Sequence, residues 1–246
     1  MHAQVAEGVH RLTQGIANFY LIEDAGKLVL VDAGAPKDWA LFSQAVHELG
    51  RRVDDVDAVL LTHAHPDHTG FAEQARTVAG ARVLVHEADE EMARTGKAPS
   101  PGVGSVITYL VYSQFYKTLW ILLRGGASRI IPIRELSSFR DGETLDVPGR
   151  PRVLHAPGHT AGSAALLLED RSVLFTGDAM CTLNPMTGRR GPQLMPPGLN
   201  RDPQQAARSL DILADSTADV LLPGHGAPWT EGAGEAVRLA RAAGAS

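Results

Sequence analysis

The stretch Leu61-Thr62-His63-Ala64-His65-Pro66-Asp67-His68-Thr69-Gly70 places three histidines and a carboxylate within six residues. It lies between residues 56–61, whose apolar and β-branched content reads as a strand, and residues 69–79, which read as a helix. Imidazole nitrogen and carboxylate oxygen are natural ligands of Zn²⁺ and similar borderline ions. A turn at a strand end can aim such closely spaced side chains at one point. The density is that of a metal site, and the remaining question is whether the rest of the chain supplies further ligands.

Upstream, residues 9–13, 19–22 and 27–31 read as short strands, with Glu23-Asp24-Ala25-Gly26 as a hairpin turn. Asp38 is placed to cap a helix over 39–49, which Gly50 closes. Downstream come a strand at 82–85 and a helix at 87–94, then an apolar helical segment at about 102–125. Short strands are expected at 129–133, 143–147, 152–155, 163–168 and 172–175. A Gly/Pro-rich loop over 183–200 precedes a helix at 203–214, a strand at 220–222 and a final helix at 234–243. Polar turns follow several of these strands: His155-Ala156-Pro157-Gly158-His159-Thr160, Thr176-Gly177-Asp178-Ala179 and Pro223-Gly224-His225-Gly226. The chain also echoes itself, since 29–33 resembles 174–179 and 59–63 resembles 220–225. Each half therefore brings polar residues to the ends of hydrophobic strands, where ligand sites form in α/β folds.

Composition narrows the partners. At 246 residues and 44% hydrophobic content the chain can bury a full core, read here as a single α/β domain over 1–246. Net charge is −5 and the basic residues are scattered, which argues against nucleic acid. The single cysteine, Cys181, excludes an internal disulfide framework. The opening residues show neither a cationic n-region nor an apolar h-region, so a cytoplasmic location is expected. Residues 103–123 are apolar enough to raise a membrane span, but Lys117 sits well inside them and an integral membrane helix is not expected. Three roles stay open for this segment: pocket wall, homodimer face or membrane contact.

The ordered blocks His63-x-His65-x-Asp67-His68, Gly158-His159, Gly177-Asp178 and Gly224-His225 resemble the metallo-β-lactamase superfamily over nearly the whole chain. The resemblance implies an αβ/βα sandwich, two β-sheets flanked by helices. It also implies a ligand set: His63, His65 and His159 on one metal, Asp67, His68 and His225 on a second, and Asp178 bridging. The expected cofactor is two divalent ions, Zn²⁺ first, with Fe or Mn as alternatives. With two Zn²⁺, two carboxylates, five neutral imidazoles and a bridging hydroxide, such a centre is net positive and favours an anionic tetrahedral intermediate. Asp67 has a further catalytic role open to it, orienting the nucleophile or accepting its proton.

Within the superfamily the pattern resembles glyoxalase II-like thioesterases and acyl-homoserine lactonases. The implied function is hydrolysis of a small, partly apolar ester, thioester or lactone by a metal-bridging hydroxide. The alternatives are phosphotriester or phosphodiester hydrolysis and a mononuclear iron persulfide dioxygenase-like reaction. β-Lactamase groups of this fold generally lack the bridging Asp that Asp178 supplies. Lactonases typically place a tyrosine three residues after that Asp, where this chain has Cys181, read as pocket wall or metal ligand. The substrate pocket is expected from 103–123 and from the loop 183–200, with Arg189-Arg190 as either an anion site or a solvated pair. His2, His10 and His47 are expected at the surface or an edge, and His86 and His155 as buried, hydrogen-bonded histidines. Asp32, Thr62 and Thr160 either support ligating histidines or only shape turns.

Overall fold

The computed structural model describes residues 2–97, 107–128 and 130–244. Strand periodicity explains how its layers assemble. In β4 (Lys27–Val31), Leu28 and Leu30 face one core, while Val29 and Val31 face another. In β9 (Ala164–Leu168) and β10 (Val173–Gly177), Leu166, Leu168, Val173 and Phe175 meet Val29 and Val31, whereas Ala165, Leu167 and Leu174 face outward. Alternation with a period of two thus gives each sheet two apolar faces, and both must be covered.

One sheet runs β1 (His2–Ala6), β2 (Val9–Thr13), β3 (Asn18–Asp24), β4, β5 (Val56–Leu61), β6 (Arg82–His86), β7 (Ser137–Phe139). It is antiparallel up to β4 and parallel from β4 to β7. The second sheet has the order β13 (Val220–Pro223), β10, β9, β8 (Arg152–His155). Its β10–β13 pair is parallel and its other pairs are antiparallel. The outer face of the first sheet packs on α1 (Trp39–Glu48), α2 (Ala72–Ala79) and α3 (Glu90–Thr95) through Phe42, Val46, Ala75 and Ala93. The outer face of the second packs on α5 (Pro203–Asp215) and α6 (Ala233–Ala243) through Leu210, Leu213, Ala236 and Val237. The result is the expected helix–sheet–sheet–helix sandwich. The internal echo is structural too, because β4–β5 and β10–β13 are both parallel pairs.

Several local expectations are corrected. Residues 130–133 carry no strand, since Pro132 has no ladder donor; Ile133 is nonetheless buried, its N–H bonded to the Ala93 carbonyl at 3.0 Å. The strand expected at 143–147 reduces to one bridge, Thr144 to Arg152. Turns on either side leave too short a run to ladder, although Leu145 and Val147 still fill the inter-sheet core. The strands β1 and β7 lack a strong sequence signal and were not expected. The loop 183–200 holds β12 (Arg190–Gln193), paired with β11 (Cys181–Leu183).

Among the described residues the apolar segment is helical at Ile107 and again from Ser113. Of the expected 102–125, residues 102–106 lie outside the described residues, as does Arg129. Residues 108–111 form turns, and α4 (Ser113–Gly125) follows an extended Tyr112. Among the described residues no helix is long and apolar enough to cross a membrane. His10 is buried on β2, 3.8 Å from Glu23, rather than at the surface; His47 is exposed as expected. His86 is buried and His155 half-buried. Their rings stack at 3.9 Å, with His86 Nδ1 accepting from the Ala88 N–H and His155 Nε2 bonded to the Ala161 carbonyl.

Candidate metal centre

Four strands end at the same rim, and each delivers its polar turn there. β5 leads into His63, His65, Asp67 and His68; β8 leads toward His159; β10 ends beside Asp178; β13 ends beside His225. The structure brings all seven residues together. Potential ligand atoms lie within 4.8 Å of one another in three groups: His63, His65 and His159; His63, His68 and Asp178; Asp67, His68 and His225. Asp178 stands between them, with Oδ2 at 3.2 Å from His225 Nε2, 3.4 Å from His159 Nε2 and 3.8 Å from His63 Nε2. Its Oδ1 is 3.7 Å from His68 Nε2. Asp67 Oδ2 lies 3.6 Å from His225 Nε2 and 3.8 Å from His68 Nε2.

The imidazoles are aimed from behind. His68 Nδ1–H donates to Asp32 Oδ2 at 2.9 Å, and His225 Nδ1–H donates to the Ile16 carbonyl at 2.9 Å. His159 Nδ1–H donates to Asn200 Oδ1 at 3.2 Å. His63 Nδ1–H reaches Thr62 Oγ1 at 3.1 Å, and that hydroxyl donates onward to Asp32 Oδ2 at 2.9 Å. Such partners fix tautomer and ring orientation, leaving each Nε2 to face inward. His65 is the exception, presenting Nδ1 at 2.8 Å from His159 Nε2. Asp32 and Thr62 therefore hold histidines of the cluster from behind, besides any part in shaping their turns.

Sequence reasoning missed Asp89. Its buried carboxylate accepts from the Ala64 N–H at 3.0 Å and the Thr160 hydroxyl at 2.7 Å through Oδ2, and from the Gly162 N–H at 2.7 Å through Oδ1. It thereby ties the His63–His65 turn to the His159 turn. In sequence it falls inside the helix expected at 87–94; in the structure it precedes α3, and its side chain makes no cap bond there. Asn200 and the Ile16 carbonyl were also missed, because a loop amide and a backbone oxygen carry no pattern that points to a distant histidine.

The electrostatics and the donor set fit a cation. His63 Nε2, His68 Nε2 and Asp178 Oδ1 are buried without a hydrogen-bond partner. An orphaned buried polar atom costs about 1–3 kcal/mol, a cost that a bound ion removes. Burial first, then neighbouring imidazoles, push His63 well below its ordinary pKa and His159 down to about 3, so both are neutral donors. Burial opposes charge on His68 as well, but Asp178, Asp67 and Asp32 outweigh it and raise it to about 10. Burial likewise resists the Asp178 carboxylate, and His225, His68 and His159 hold it well below the usual range. A divalent ion would take over the charge balance that those protons provide. Glycine is required at 224, where a Cβ would lie 2.3 Å from Asp178 Oδ1.

Beside the cluster is a cavity of about 420 Å³. It is lined by Gln14, Gly15, Ile16 and Ala17, by Ala35, Lys37 and Asp38, and by Trp120 to Gly125 of α4 apart from Leu123. Asp67 is the member of the cluster that reaches it. Of the expected pocket segment 103–123, Trp120, Ile121 and Leu122 line this cavity, whereas no residue of 183–200 does. That loop is spent elsewhere: the Pro185 carbonyl accepts from the Thr118 hydroxyl of α4, Arg189 reaches the Ala243 carbonyl at 3.1 Å, and Arg189 and Arg190 are both exposed. Cys181 is fully buried, its Sγ 3.8 Å from the Leu194 carbonyl, and it belongs to none of the three ligand groups.

The family model described as the metallo-beta-lactamase superfamily matches residues 12–225. The crystal structure of a metallo-beta-lactamase family protein from Thermus thermophilus is 32% identical, with a TM-score of 0.67, over 97% of this chain and 81% of that one. A probable metallo-hydrolase of Bacillus subtilis strain 168, YflN, is 27% identical over 243 residues, 92% of this chain and 87% of its own. The human acyl-coenzyme A thioesterase MBLAC2 is 27% identical over 172 residues, 67% of this chain and 58% of its own. Sandwich, strand-end histidines and sequence match agree, and the chain belongs to the metallo-beta-lactamase superfamily.

Proposed function

We propose that residues 1–246 form one binuclear metal-dependent hydrolase domain acting on a small, partly apolar ester, thioester or lactone. In this reading His63, His65 and His159 hold one ion, Asp67, His68 and His225 hold the other, and Asp178 spans both. Zinc is the ion that a set of five imidazoles and two carboxylates suits best. The observation that carries the reading is the inward convergence of seven side chains, three of their atoms buried without partners, beside a cavity that Asp67 also lines.

Two divalent ions would supply Lewis acidity and a hydroxide nucleophile near neutral pH. The chain's own residues do the rest. Asp32, Thr62, Asn200 and the Ile16 carbonyl hold the imidazoles in one tautomer. Asp67, half-buried at the cavity edge, orients the attacking water and takes its proton. Ile16, Ile121 and Leu122 give the substrate body an apolar wall and exclude bulk water from it. An acyl substrate is further supported by the human thioesterase among the relatives.

The test is a screen of zinc-reconstituted protein against lactones, thioesters, aryl esters, phosphotriesters, phosphodiesters and β-lactams. Turnover of acyl substrates that chelation abolishes and zinc restores is the expected result. Turnover confined to phosphoesters, or oxygen consumption on a persulfide with one iron bound, would overturn the reading. The outer face of α4 supports a homodimer as well, because Tyr116, Leu119, Trp120 and Leu123 are 44–61% exposed together. Sedimentation velocity at micromolar concentration decides this, and a monomer there would remove it.

A further inference from the structure

The cavity beside Asp67 is built from three segments seated closely on one another. A Cβ on Gly15 would lie 2.6 Å from Ile121 Cγ2, so α4 rests directly on the 14–17 loop. That loop is in turn tied to the metal centre by the bond from His225 to the Ile16 carbonyl, and by a bridge between Ala17 and His225. Cavity and ligand cluster thus share a wall, and a molecule bound in one is held in register with the other.

Two cations line this cavity, Lys37 on the turn before α1 and Arg124 in the last turn of α4. Among the described residues neither is paired with a carboxylate. Several other surface arginines are paired, as in Arg51–Glu23, Arg82–Asp57 and Arg152–Glu169, while Arg189, Arg190 and Arg201 have no ion pair among the described residues. Arg124 instead lies 5.6 Å from the ring centroid of Trp120, a contact that orients the guanidinium without neutralising it. The remaining acid of the lining, Asp38, uses Oδ2 to accept from the Ala35 N–H at 2.8 Å. With Asp67 committed to the metal centre, two cations face one carboxylate already engaged by backbone.

We infer that the substrate carries an anionic group, a carboxylate or a phosphate, on its apolar body, and that Lys37 and Arg124 hold it. The body lies along Ile16, Ile121 and Leu122, and the scissile carbonyl is directed toward Asp67. The direction of the scissile bond rests on the hydrolase reading above; the anion subsite rests only on Asp67 holding metal, not on hydrolysis. Because both cations are solvent-exposed, each contributes about fivefold in affinity, and added salt weakens the effect.

Two measurements test the subsite on the zinc-loaded protein. The first compares kcat/KM for 4-nitrophenyl butyrate and the mono-4-nitrophenyl ester of glutaric acid, which carries a free carboxylate. Wild type is expected to favour the carboxylate ester, and Lys37→Met/Arg124→Met to lose that preference by about twentyfold. The second follows tryptophan fluorescence on titration with phenylacetate, phenyl phosphate and neutral phenylacetamide, which also separates a carboxylate ligand from a phosphate one. Saturable binding of at least one anion, absent in a double variant of unchanged melting temperature, is the expected result. Equal binding of the amide, or anion binding retained in the double variant, overturns the subsite. If neither ester is turned over while Lys37- and Arg124-dependent anion binding persists, the hydrolase reading fails and the subsite stands. Turnover with no charge preference in wild type does the reverse.

Discussion

Asp32 and Asp178 stand at corresponding points of the two halves, each following the first strand of a parallel pair, β4–β5 or β10–β13. Their carboxylates nevertheless do different things. Asp32 is itself the residue with positive φ, at 59°, and turns back to bind the Thr62 N–H and hydroxyl and His68 Nδ1. In the other half the positive φ, 49°, falls on Gly177, and Asp178 comes one residue later. That shift carries its carboxylate into the middle of the imidazoles, with Oδ1 unpartnered. The lesson is that one residue of register at a strand end separates a group that aims ligands from one that would serve as a ligand.

Substitutions on the two sides should separate those roles. The largest effect is expected for Asp178→Ala, which removes the group spanning both sets of imidazoles. Turnover should fall by at least about a thousandfold, roughly 4 kcal/mol in the barrier, with loss of bound metal by elemental analysis. Asp32→Asn keeps the shape but weakens the acceptor behind His68 and Thr62. A loss of about 10- to 100-fold in metal affinity is expected, measured by competition with a chromophoric chelator. An Asp32 variant as damaged as Asp178→Ala would erase the distinction between the two carboxylates. Asp89→Asn belongs with Asp32, since it loosens two histidine turns without touching a ligand atom, and its melting temperature should fall together with its metal affinity. The smallest effect is expected for Cys181→Ser, within roughly tenfold of wild-type activity, about 1.4 kcal/mol. Loss of metal in that variant would make the thiol a ligand and break the assignment of Asp178 as the one ligand its loop supplies.

The sandwich was readable because strands such as β4, β5, β9 and β10 are nearly continuous apolar runs that end in polar turns. The seven candidate ligands were readable for the same reason, as chemistry concentrated at strand ends. What supports them was less so. Asp89, Asn200 and the Ile16 carbonyl act across 25, 41 and 209 residues of chain, and each has an ordinary local reading as helix, loop or backbone. The cavity was half legible. The apolar sequence of α4 marked one wall, but the opposite walls come from Gln14 to Ala17 and Ala35 to Asp38, whose small and polar residues look like plain connections. The loop 183–200 drew attention by its irregular composition and turned out to hold a hairpin and an imidazole anchor.

In the proposed centre two triads, with Asp178 between them, hold two ions. Equilibrium dialysis of the chelated protein against Zn²⁺, with bound metal and hydrolytic rate read on the same samples, tests it directly. Binding of about two equivalents in wild type, with activity rising as the second is filled, and about one or fewer in Asp178→Ala is predicted. A wild type that saturates at a single equivalent with full activity would contradict it.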